Sequence, residues 1–262
     1  MTATLHPNGI ITLLTDFGTQ DSYVGAMKGV ILKTDTLLKI IDITHDIPAQ
    51  NIRRASQILA DIIPHYPDGT VHCCVVDPGV GTDRLPCLFQ IGRQWVIAPD
   101  NGIISKVFDP KVDLAWCLPS TDFQQKSATF HGRDLFAPMA ARIASSQKKP
   151  SELPALKTKP ITLQHIKPFQ EKDGTWTGEV IYSDAFGNLI TNLPGHLLKK
   201  NTRVLVNSDN LLVPVVVETY GKASKGTLVA LVGSTDLVEI ALVQQNASRL
   251  LELGCGIQIQ LI

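Results

Sequence analysis

The first half of the chain alternates short apolar segments with longer amphipathic segments, and this alternation restricts the fold more than any other feature of the sequence. The apolar segments Ile10–Leu14, Leu37–Ile43 and Thr70–Val76 have the length of strands, and Ser22–Lys33 and Asn51–Ile63 have the length of helices. Apolar strands separated by helices are typical of a parallel sheet that is covered on both faces. We therefore predict an α/β fold for this half.

Two further elements complete the predicted α/β domain. The segments "CLFQI" and "QWVIA" are separated by "GR" and predict a β-hairpin within the alternating pattern. A last helix is predicted from about Leu135 to Ser145. The predicted sheet is therefore mainly parallel, with one antiparallel hairpin.

A change in composition between Ser145 and Gly174 predicts a domain boundary. This segment is rich in Pro and Lys and lacks a periodic apolar pattern, as expected of a connector. Short apolar runs then follow at the spacing of an all-β domain: "TGEVIYS", "NLITNL", "RVLV", "LLVPVVVE", "TLVALV", "LVEIALV" and "GIQIQLI". We predict an N-terminal α/β domain at residues 1–160, including the start of the connector, and a small C-terminal β-barrel domain at residues 161–262.

The charge balance predicts a small molecule as the partner of this protein. The 24 basic and 24 acidic residues cancel, so no net field would attract nucleic acid or an anionic membrane. The longest apolar runs, such as Leu211–Val217, are far shorter than the ~20 residues that span a bilayer. The N-terminal "MTATLHPNGI" lacks the basic and apolar regions of a signal peptide, which predicts a cytoplasmic protein.

The cysteines and histidines show no metal-binding pattern. The five cysteines include no C-x-x-C pair, and the seven histidines include no H-E-x-x-H spacing. We expect buried thiols and no metal. A metal site would have to combine residues that are distant in sequence, such as Asp77 and His131.

Two aspartates follow predicted strands of the first domain. Ligands of open α/β sheets bind outside the carboxyl ends of the strands, and both Asp16 and Asp77 are predicted there. Asp16 could accept the hydroxyl groups of a ribose, although Asp16 with Gly18 could also form an ordinary turn. Asp21 is at least as well explained as the N-cap of the first helix. Because no G-x-G-x-x-G or Walker A sequence is present, a nucleoside without a pyrophosphate is favoured.

Three further stretches carry candidate residues, and each one alone has a structural explanation. "VVDPGVGTDR" could be a chain reversal with Asp77 capping it and Arg84 solvated, and His131 in "TFHGRDLFAP" could be structural. "YSDAFGNLITNL" could be a hairpin turn with Phe186 in the core. Several ionisable groups in loops beside predicted sheet ends nevertheless favour a pocket.

Taken together, "TLLTDFGTQDSYVGAMKGVI", "VVDPGVGTDR", "APDNG", "TFHGRDLFAP" and "DAFGNLITN" resemble the S-adenosyl-L-methionine (SAM) hydroxide adenosyltransferases, or SAM hydrolases, which are relatives of the SAM-dependent fluorinase and chlorinase. The resemblance covers nearly the whole chain. It implies an α/β domain followed by a β-barrel, and a homotrimer that binds SAM at its subunit interfaces. It also implies the reaction, in which water attacks C5′ of SAM and releases adenosine and L-methionine. SAM is then the substrate, and no cofactor is expected.

The resemblance also implies the roles of individual residues. The catalytic set corresponds to Asp77, Arg84 and His131. Ribose binding corresponds to Asp16. The remaining substrate-binding positions correspond to Asp21 and Asp184 for the methionine amino group, Phe186 and Asn188 for adenine, and Ser234, Glu239, Asn246 and Ala247 in a strand near the C-terminus. This last segment departs from the family pattern, because Gln245 stands where a basic residue is usual.

One position separates hydrolysis from halogenation in this resemblance. The halogenases carry a tyrosine where this chain has Asp77, and the fluorinase has a serine near the position of Gly132. We therefore expect water as the nucleophile, held by Arg84 and His131 and oriented or deprotonated by Asp77. Three alternatives stay open: a protein that only binds SAM or adenosine as a sensor, a chlorinase-like halogenase, and a metal-dependent hydrolase.

Overall fold

The computed structural model describes residues 5–118, 127–155, 159–206 and 211–262, so residues 156–158 of the predicted connector lie outside the described part. The chain divides into two compact units, Met1–Leu163 and Gln164–Ile262. Within the described residues, no helix is long and apolar enough to cross a membrane.

The first unit contains six strands and three α-helices within its described residues. In chain order they are β1 (Ile10–Thr15), α1 (Tyr23–Thr34), β2 (Lys39–Thr44), α2 (Ile52–Ile62), β3 (Val71–Val75), β4 (Pro86–Ile91), β5 (Gln94–Pro99), β6 (Leu114–Cys117) and α3 (Ala137–Ala144). The strands form one sheet in the order β2-β1-β3-β5-β4-β6. The pairs β1/β2, β1/β3 and β3/β5 are parallel, whereas β4 pairs antiparallel with β5 and with β6. The predicted hairpin is confirmed by the β4/β5 pair.

Alternate residues of the central strands pack on opposite faces of this sheet. Leu13 of β1 packs in a cluster with Met27 of α1 and Ala140 of α3, whereas the next residue, Leu14, packs in a second cluster with Leu59 of α2. A strand places successive side chains on opposite faces, so a strand covered by helices on both sides is apolar throughout. The prediction of a sheet covered on both faces is confirmed for its central strands.

Strand β2 differs from this prediction because it lies at the edge of the sheet. Its side chains are partly exposed, including Ile41 with 39% of its surface accessible, although the run from Leu37 to Ile43 is mostly apolar. An edge strand has a neighbour on one side only, and position in the sheet cannot be read from an apolar run. Asp42 of this strand is half-exposed and contacts Lys28.

The last helix of the first unit begins earlier than the sequence predicts. A π-helical turn covers Gly132–Phe136 and is closed by a hydrogen bond from the Ala137 amide to the Gly132 carbonyl, and α3 continues from it. Such wide turns are rare and occur often at functional sites. His131 immediately precedes this turn, so its position depends on a local geometry that apolar periodicity does not reveal.

The second unit is built almost entirely of strands. They are β7 (Phe169–Gln170), β8 (Trp176–Ser183), β9 (Leu189–Pro194), β10 (Val204–Val206), β11 (Leu211–Val213), β12 (Val215–Val216), β13 (Leu228–Val232), β14 (Leu237–Leu242) and β15 (Gln258–Leu261), with one short helix α4 (Ala247–Leu250). Their order is β11-β10-β15-β8-β9-β14-β13-β12, and β7 pairs with β8. Because β11 also contacts β13, the sheet curls until it is nearly barrel-shaped.

Candidate active site

Asp16 and Asp77 lie beside each other at the carboxyl edge of the first sheet. Thr15, the last residue of β1, is in register with Val75, the last residue of β3, and the two strands are parallel neighbours. The chain leaves both strands at the same edge, where α/β sheets bind their ligands. Two of the predicted site residues are therefore brought together by the sheet itself.

The segment after β3 folds into consecutive tight turns. The Val80 amide donates to the Asp77 carbonyl over 3.2 Å, and the Thr82 amide donates to the Gly79 carbonyl over 3.1 Å. Gly81 has φ of +79°, a conformation that side-chain-bearing residues rarely adopt. These turns reverse the chain so that Arg84 returns to Asp77.

Arg84 binds the Asp77 carboxylate through two of its nitrogens. Nε lies 3.0 Å from both carboxylate oxygens, and Nη2 lies 2.5 Å from Oδ2. Both side chains are buried, with 9% of the Arg84 side chain and 5% of the Asp77 side chain accessible. The interpretation of Arg84 as a solvated residue is wrong. A buried ion pair with this geometry fixes the direction of the carboxylate.

His131 joins this pair through the same guanidinium group. Arg84 Nη2 lies 2.6 Å from His131 Nδ1, and the guanidinium packs 5.3 Å from the centre of the Phe136 ring. Because a guanidinium only donates hydrogen bonds, Nδ1 must be the acceptor. His131 is therefore neutral and carries its proton on Nε2.

The electrostatics of the site support the neutral form. Burial lowers the pKa of His131, and the Arg84 cation lowers it further, while the Asp77 and Asp134 carboxylates oppose these effects in part. Together, Asp77, Arg84 and His131 form one hydrogen-bonded unit with a carboxylate, a guanidinium and a neutral imidazole.

Aromatic packing connects the loop of Asp16 with the loop of His131. Phe17 and Phe130 pack edge to face with ring centres 5.9 Å apart. A Cβ at Gly132 would lie 3.1 Å from the Phe17 ring and 3.2 Å from the Phe130 ring, so glycine permits this approach. The two loops that follow Asp16 and precede His131 are thus neighbours.

Asn101 also holds this site, although sequence reasoning assigned it no role. Its Nδ2 donates to the Val76 carbonyl over 2.8 Å, which fixes the residue before Asp77. Asn101 follows β5, the parallel neighbour of β3. The signal was present in the sequence, because "APDNG" places a polar side chain at the end of a third predicted strand.

The two N-terminal aspartates have different surroundings. Asp16 Oδ2 accepts a hydrogen bond of 2.8 Å from the Gln50 amide, which orients its carboxylate at the sheet edge. Asp21 is exposed, and the N-cap of α1 is Ser22. The interpretation of Asp21 as a helix cap is therefore wrong, and its binding role stays a prediction.

In the second unit, five of the predicted binding residues line one cleft. Its volume is about 1070 Å³, and its lining includes Asp184, Phe186, Asn188, Ser234 and Glu239. The Phe186 side chain is 77% exposed, so its interpretation as a core residue is wrong. An exposed aromatic ring beside a cleft provides a face on which a planar base can stack.

The Asp184 carboxylate organises the turn between β8 and β9. Oδ1 accepts from the amides of Phe186 and Asn188 over 2.9 Å each, and Oδ2 accepts from Asn188 Nδ2 over 3.0 Å. The turn thus has the hairpin geometry that its sequence predicts. It also presents Phe186 outwards.

Two residues that sequence reasoning missed lie in this cleft, namely Tyr220 and Glu218. The Tyr220 hydroxyl donates to Glu239 Oε1. Burial raises the pKa of Glu239, the Tyr220 hydrogen bond lowers it in part, and the Asp184 carboxylate raises it. Glu218, Asp184 and Glu239 make the cleft suitable for a cationic ligand. In the sequence, Tyr220 is an isolated tyrosine between two predicted strands, and no pattern there predicts its contact with Glu239.

Asn246 and Ala247 are not part of the cleft lining. Asn246 is the N-cap of α4, where its Oδ1 accepts from the Arg249 amide over 2.7 Å. Its side chain also packs directly against Gly187, leaving no room there for a Cβ. Ala247 is buried in the core of the second unit. The structure therefore gives Asn246 a supporting position behind the Phe186 turn.

Both units match one family of proteins. Residues 11–153 match the SAM hydroxide adenosyltransferase N-terminal domain, and residues 178–260 match the SAM hydroxide adenosyltransferase C-terminal domain. The chain belongs to the SAM hydroxide adenosyltransferase family.

Individual relatives match this chain over most of its length. An (R)-S-adenosyl-L-methionine hydrolase from Salinispora arenicola (strain CNS-205) is 34% identical over 254 residues, which cover 95% of this chain and 96% of the relative. A crystal structure of an uncharacterized conserved protein from Thermotoga maritima superposes with a TM-score of 0.87 at 31% identity, covering 96% of this chain and 99% of that one. A fluorinase from Actinoplanes sp. (strain N902-109) is 24% identical, covering 71% of this chain and 72% of the relative.

The described residues of this chain contain no group of three or more His, Cys, Asp or Glu side chains that could hold a metal ion. The cluster at Asp77 is instead completed by the cation of Arg84. Its geometry suits a polar nucleophile such as water, because it offers a fixed carboxylate acceptor beside fixed donors.

Proposed function

We propose that this chain hydrolyses S-adenosyl-L-methionine to adenosine and L-methionine by attack of water at C5′. The observation that carries the proposal is the buried unit of Asp77, Arg84 and His131 at the sheet edge, in a chain of the SAM hydroxide adenosyltransferase family. Similarity to the Salinispora arenicola SAM hydrolase over 95% of the chain supports the same activity.

The chemistry of the sulfonium group determines what the enzyme must supply. A sulfonium is already a good leaving group, so it needs no protonation before it departs as the neutral sulfur of methionine. The enzyme must hold a water molecule in line with the bond from C5′ to sulfur. Such positioning can contribute about 7–11 kcal/mol. The water must also lose a proton as it attacks, and this requires a base.

Asp77 is the proposed base. Arg84 holds the Asp77 carboxylate through Nε and Nη2, so the carboxylate keeps one direction while the water reacts. His131 accepts from the same guanidinium and in turn fixes its plane. As a neutral imidazole with a proton on Nε2, His131 can donate a hydrogen bond to the attacking oxygen.

The remaining predicted residues are proposed to bind the substrate. Asp16 would accept the ribose hydroxyls, and Asp21 and Asp184 the methionine amino group. The base would stack on Phe186, which is exposed beside a cleft with three carboxylates. SAM carries positive charge on its sulfonium and its amino group, so an acidic cleft favours it electrostatically. Asn188, Ser234 and Glu239 are proposed to contact the substrate in the same cleft, and the assignment of Asn246 and Ala247 to substrate binding stays a prediction.

We also propose that the chain forms a homotrimer with SAM at the subunit interfaces, as the family resemblance implies. We propose further that the protein is cytoplasmic, as the sequence implies. Mass measurement by light scattering tests the trimer, since a monomeric mass of 28.5 kDa in solution would contradict it. Cell fractionation tests the location.

One incubation tests the proposed reaction against its alternatives. Purified protein is incubated with SAM in oxygen-18 water containing chloride, with and without a chelator. Adenosine labelled at its 5′-oxygen, together with methionine, is the expected result in both arms. A chlorinated nucleoside would indicate a halogenase, loss of activity with chelator would indicate a metal-dependent hydrolase, and binding without any product would indicate a sensor.

A further inference from the structure

The loop after β2 holds the loop that contains Asp16. The Gly18 amide donates to the His45 carbonyl over 2.8 Å, and the Gln50 amide donates to Asp16 Oδ2 over 2.8 Å. Gln50 has φ of +65°, an uncommon conformation for a residue with a side chain. The direction of the Asp16 carboxylate thus depends on the backbone of residues 45–50.

A buried pair of side chains lies beneath these two loops. Thr15 Oγ1 lies 2.8 Å from His45 Nδ1, and both residues are buried. The Phe17 amide donates to the same Thr15 Oγ1 over 3.3 Å. Thr15 and Phe17 flank Asp16 in the chain, so the hydroxyl of Thr15 links both neighbours of Asp16 to His45.

The second nitrogen of His45 determines the direction of these hydrogen bonds. Nε2 lies 3.1 Å from Asp42 Oδ1, which is ion-pair distance. Asp42 is held from its other side by Lys28 Nζ over 2.6 Å. If the proton of the neutral imidazole is on Nε2, it faces this carboxylate. Nδ1 then accepts a hydrogen bond from the Thr15 hydroxyl. The Thr15 oxygen is then free to accept from the Phe17 amide.

The order carboxylate, imidazole, hydroxyl resembles a nucleophilic triad, but burial excludes that use. Thr15 has no accessible surface, so no substrate atom can reach its oxygen. Building on the proposed SAM hydrolysis, we infer that Thr15 and His45 are positioning residues that set the Asp16 carboxylate for the ribose hydroxyls. Neither residue touches the substrate.

The same strand contains a matched pair that lies away from the loops. Thr12 Oγ1 lies 2.8 Å from His72 Nδ1, and both residues are buried within β1 and β3. Thr12 precedes the sheet edge by several residues. Replacement of either threonine by valine removes one buried hydroxyl and leaves one histidine nitrogen without its partner, so both changes should lower the unfolding temperature. Thr15→Val also removes the acceptor of the Phe17 amide, so its unfolding temperature should fall further.

The experiment compares Thr15→Val, Thr15→Ser and Thr12→Val in the full-length protein. Thr15→Val should raise the KM for SAM and the Kd for adenosine about tenfold, with kcat changed by less than about twofold. Thr15→Ser keeps the hydroxyl and should restore both constants. Thr12→Val should leave both unchanged. Thr15→Val should also lose the preference of the wild type for adenosine over 2′-deoxyadenosine, which a loss of stability alone would not change.

The outcomes separate this inference from the proposed function. If the wild type hydrolyses SAM and Thr15→Val behaves like Thr12→Val, the positioning role is wrong. If the wild type binds adenosine without hydrolysing SAM and Thr15→Val still weakens that binding selectively, the positioning role stands and the proposed reaction is wrong. A wild type that neither binds adenosine nor hydrolyses SAM would overturn both.

Discussion

Arg84 donates from one nitrogen to both Asp77 and His131, with Nη2 lying 2.5 Å from Asp77 Oδ2 and 2.6 Å from His131 Nδ1. A single planar group thus sets the positions of the proposed base and of the neighbouring imidazole. The shape of the cation, and not only its charge, should therefore matter for turnover.

Replacing Arg84 with lysine should lower kcat about 100-fold or more while SAM binding persists. Lysine keeps the positive charge but cannot donate from two fixed nitrogens. Arg93→Lys provides the control, because Arg93 forms an exposed ion pair with Asp68. Chromatographic measurement of adenosine release gives kcat for each variant. Turnover of Arg84→Lys close to that of Arg93→Lys would show that charge alone is sufficient.

Replacing Asp77 with asparagine should reduce kcat by roughly 100-fold to 10,000-fold, since an amide cannot accept the proton of water. Calorimetry should still detect SAM binding. The control is Asp83→Asn, which changes an exposed carboxylate in the same loop and should retain full activity. An active Asp77→Asn variant would remove this residue from the mechanism.

The pH profile of kcat/KM should be flat near neutrality and fall only at pH values below the ordinary histidine pKa of about 6.5. Burial and the Arg84 cation lower the pKa of His131, so the neutral imidazole persists at neutral pH. Protonation would put a proton on Nδ1 and break its bond with Arg84. The acidic limb should disappear in His131→Asn, and a limb above pH 6.5 in the wild type would contradict this assignment.

Replacing Phe186 with alanine should raise the KM for SAM about tenfold and leave the unfolding temperature unchanged. The ring is 77% exposed, so its removal costs little packing, whereas loss of stacking on a base costs ~1–3 kcal/mol. Phe169→Ala removes another exposed aromatic ring of the same unit and should leave KM unaltered. Equal KM values for the two variants would mean that Phe186 does not contact the base.

His72 should make the protein less stable at acidic pH. Burial lowers its pKa to about 4, although a hydrogen bond with Gln94 raises it in part. The neutral His72 contributes to the free energy of unfolding. This contribution is fully present above the unfolded-state pKa of ~6.5 and is lost as the pH falls through 4, by at most about 3 kcal/mol. Urea unfolding at pH 7 and pH 4.5 measures this loss. His72→Gln should show a smaller change between the two pH values, and an identical change would contradict the prediction.

Local sequence patterns predicted most strands and helices, because burial of one or both faces of an element requires apolar residues at characteristic spacings. They could not predict that β2 lies at the edge, since strand order depends on pairing between distant segments. The turn at Gly132–Phe136 was also missed, because a π-helical turn has no apolar repeat of its own.

The site was predicted where its residues lie next to strand ends or in a distinctive turn. Asp16 and Asp77 followed from strand position, and Arg84 and His131 from the resemblance. The contact between Arg84 and His131 joins residues 47 positions apart, which no local pattern encodes. The donor to Asp16 is a backbone amide, that of Gln50, and backbone donors do not appear in residue identities. The hydrogen bond between Tyr220 and Glu239 joins residues of different strands and loops, so it can be identified only in the folded structure.

The contact of Gly187 with Asn246 has a consequence for the redesign of this protein. The turn that presents Phe186 rests on the cap of α4, and no Cβ fits between them. A larger residue at position 187 would push the ring and the C-terminal helix apart together. Libraries that aim to admit a bulkier nucleobase should therefore keep glycine at position 187, because its φ of +85° and its contact with Asn246 both disfavour a Cβ there.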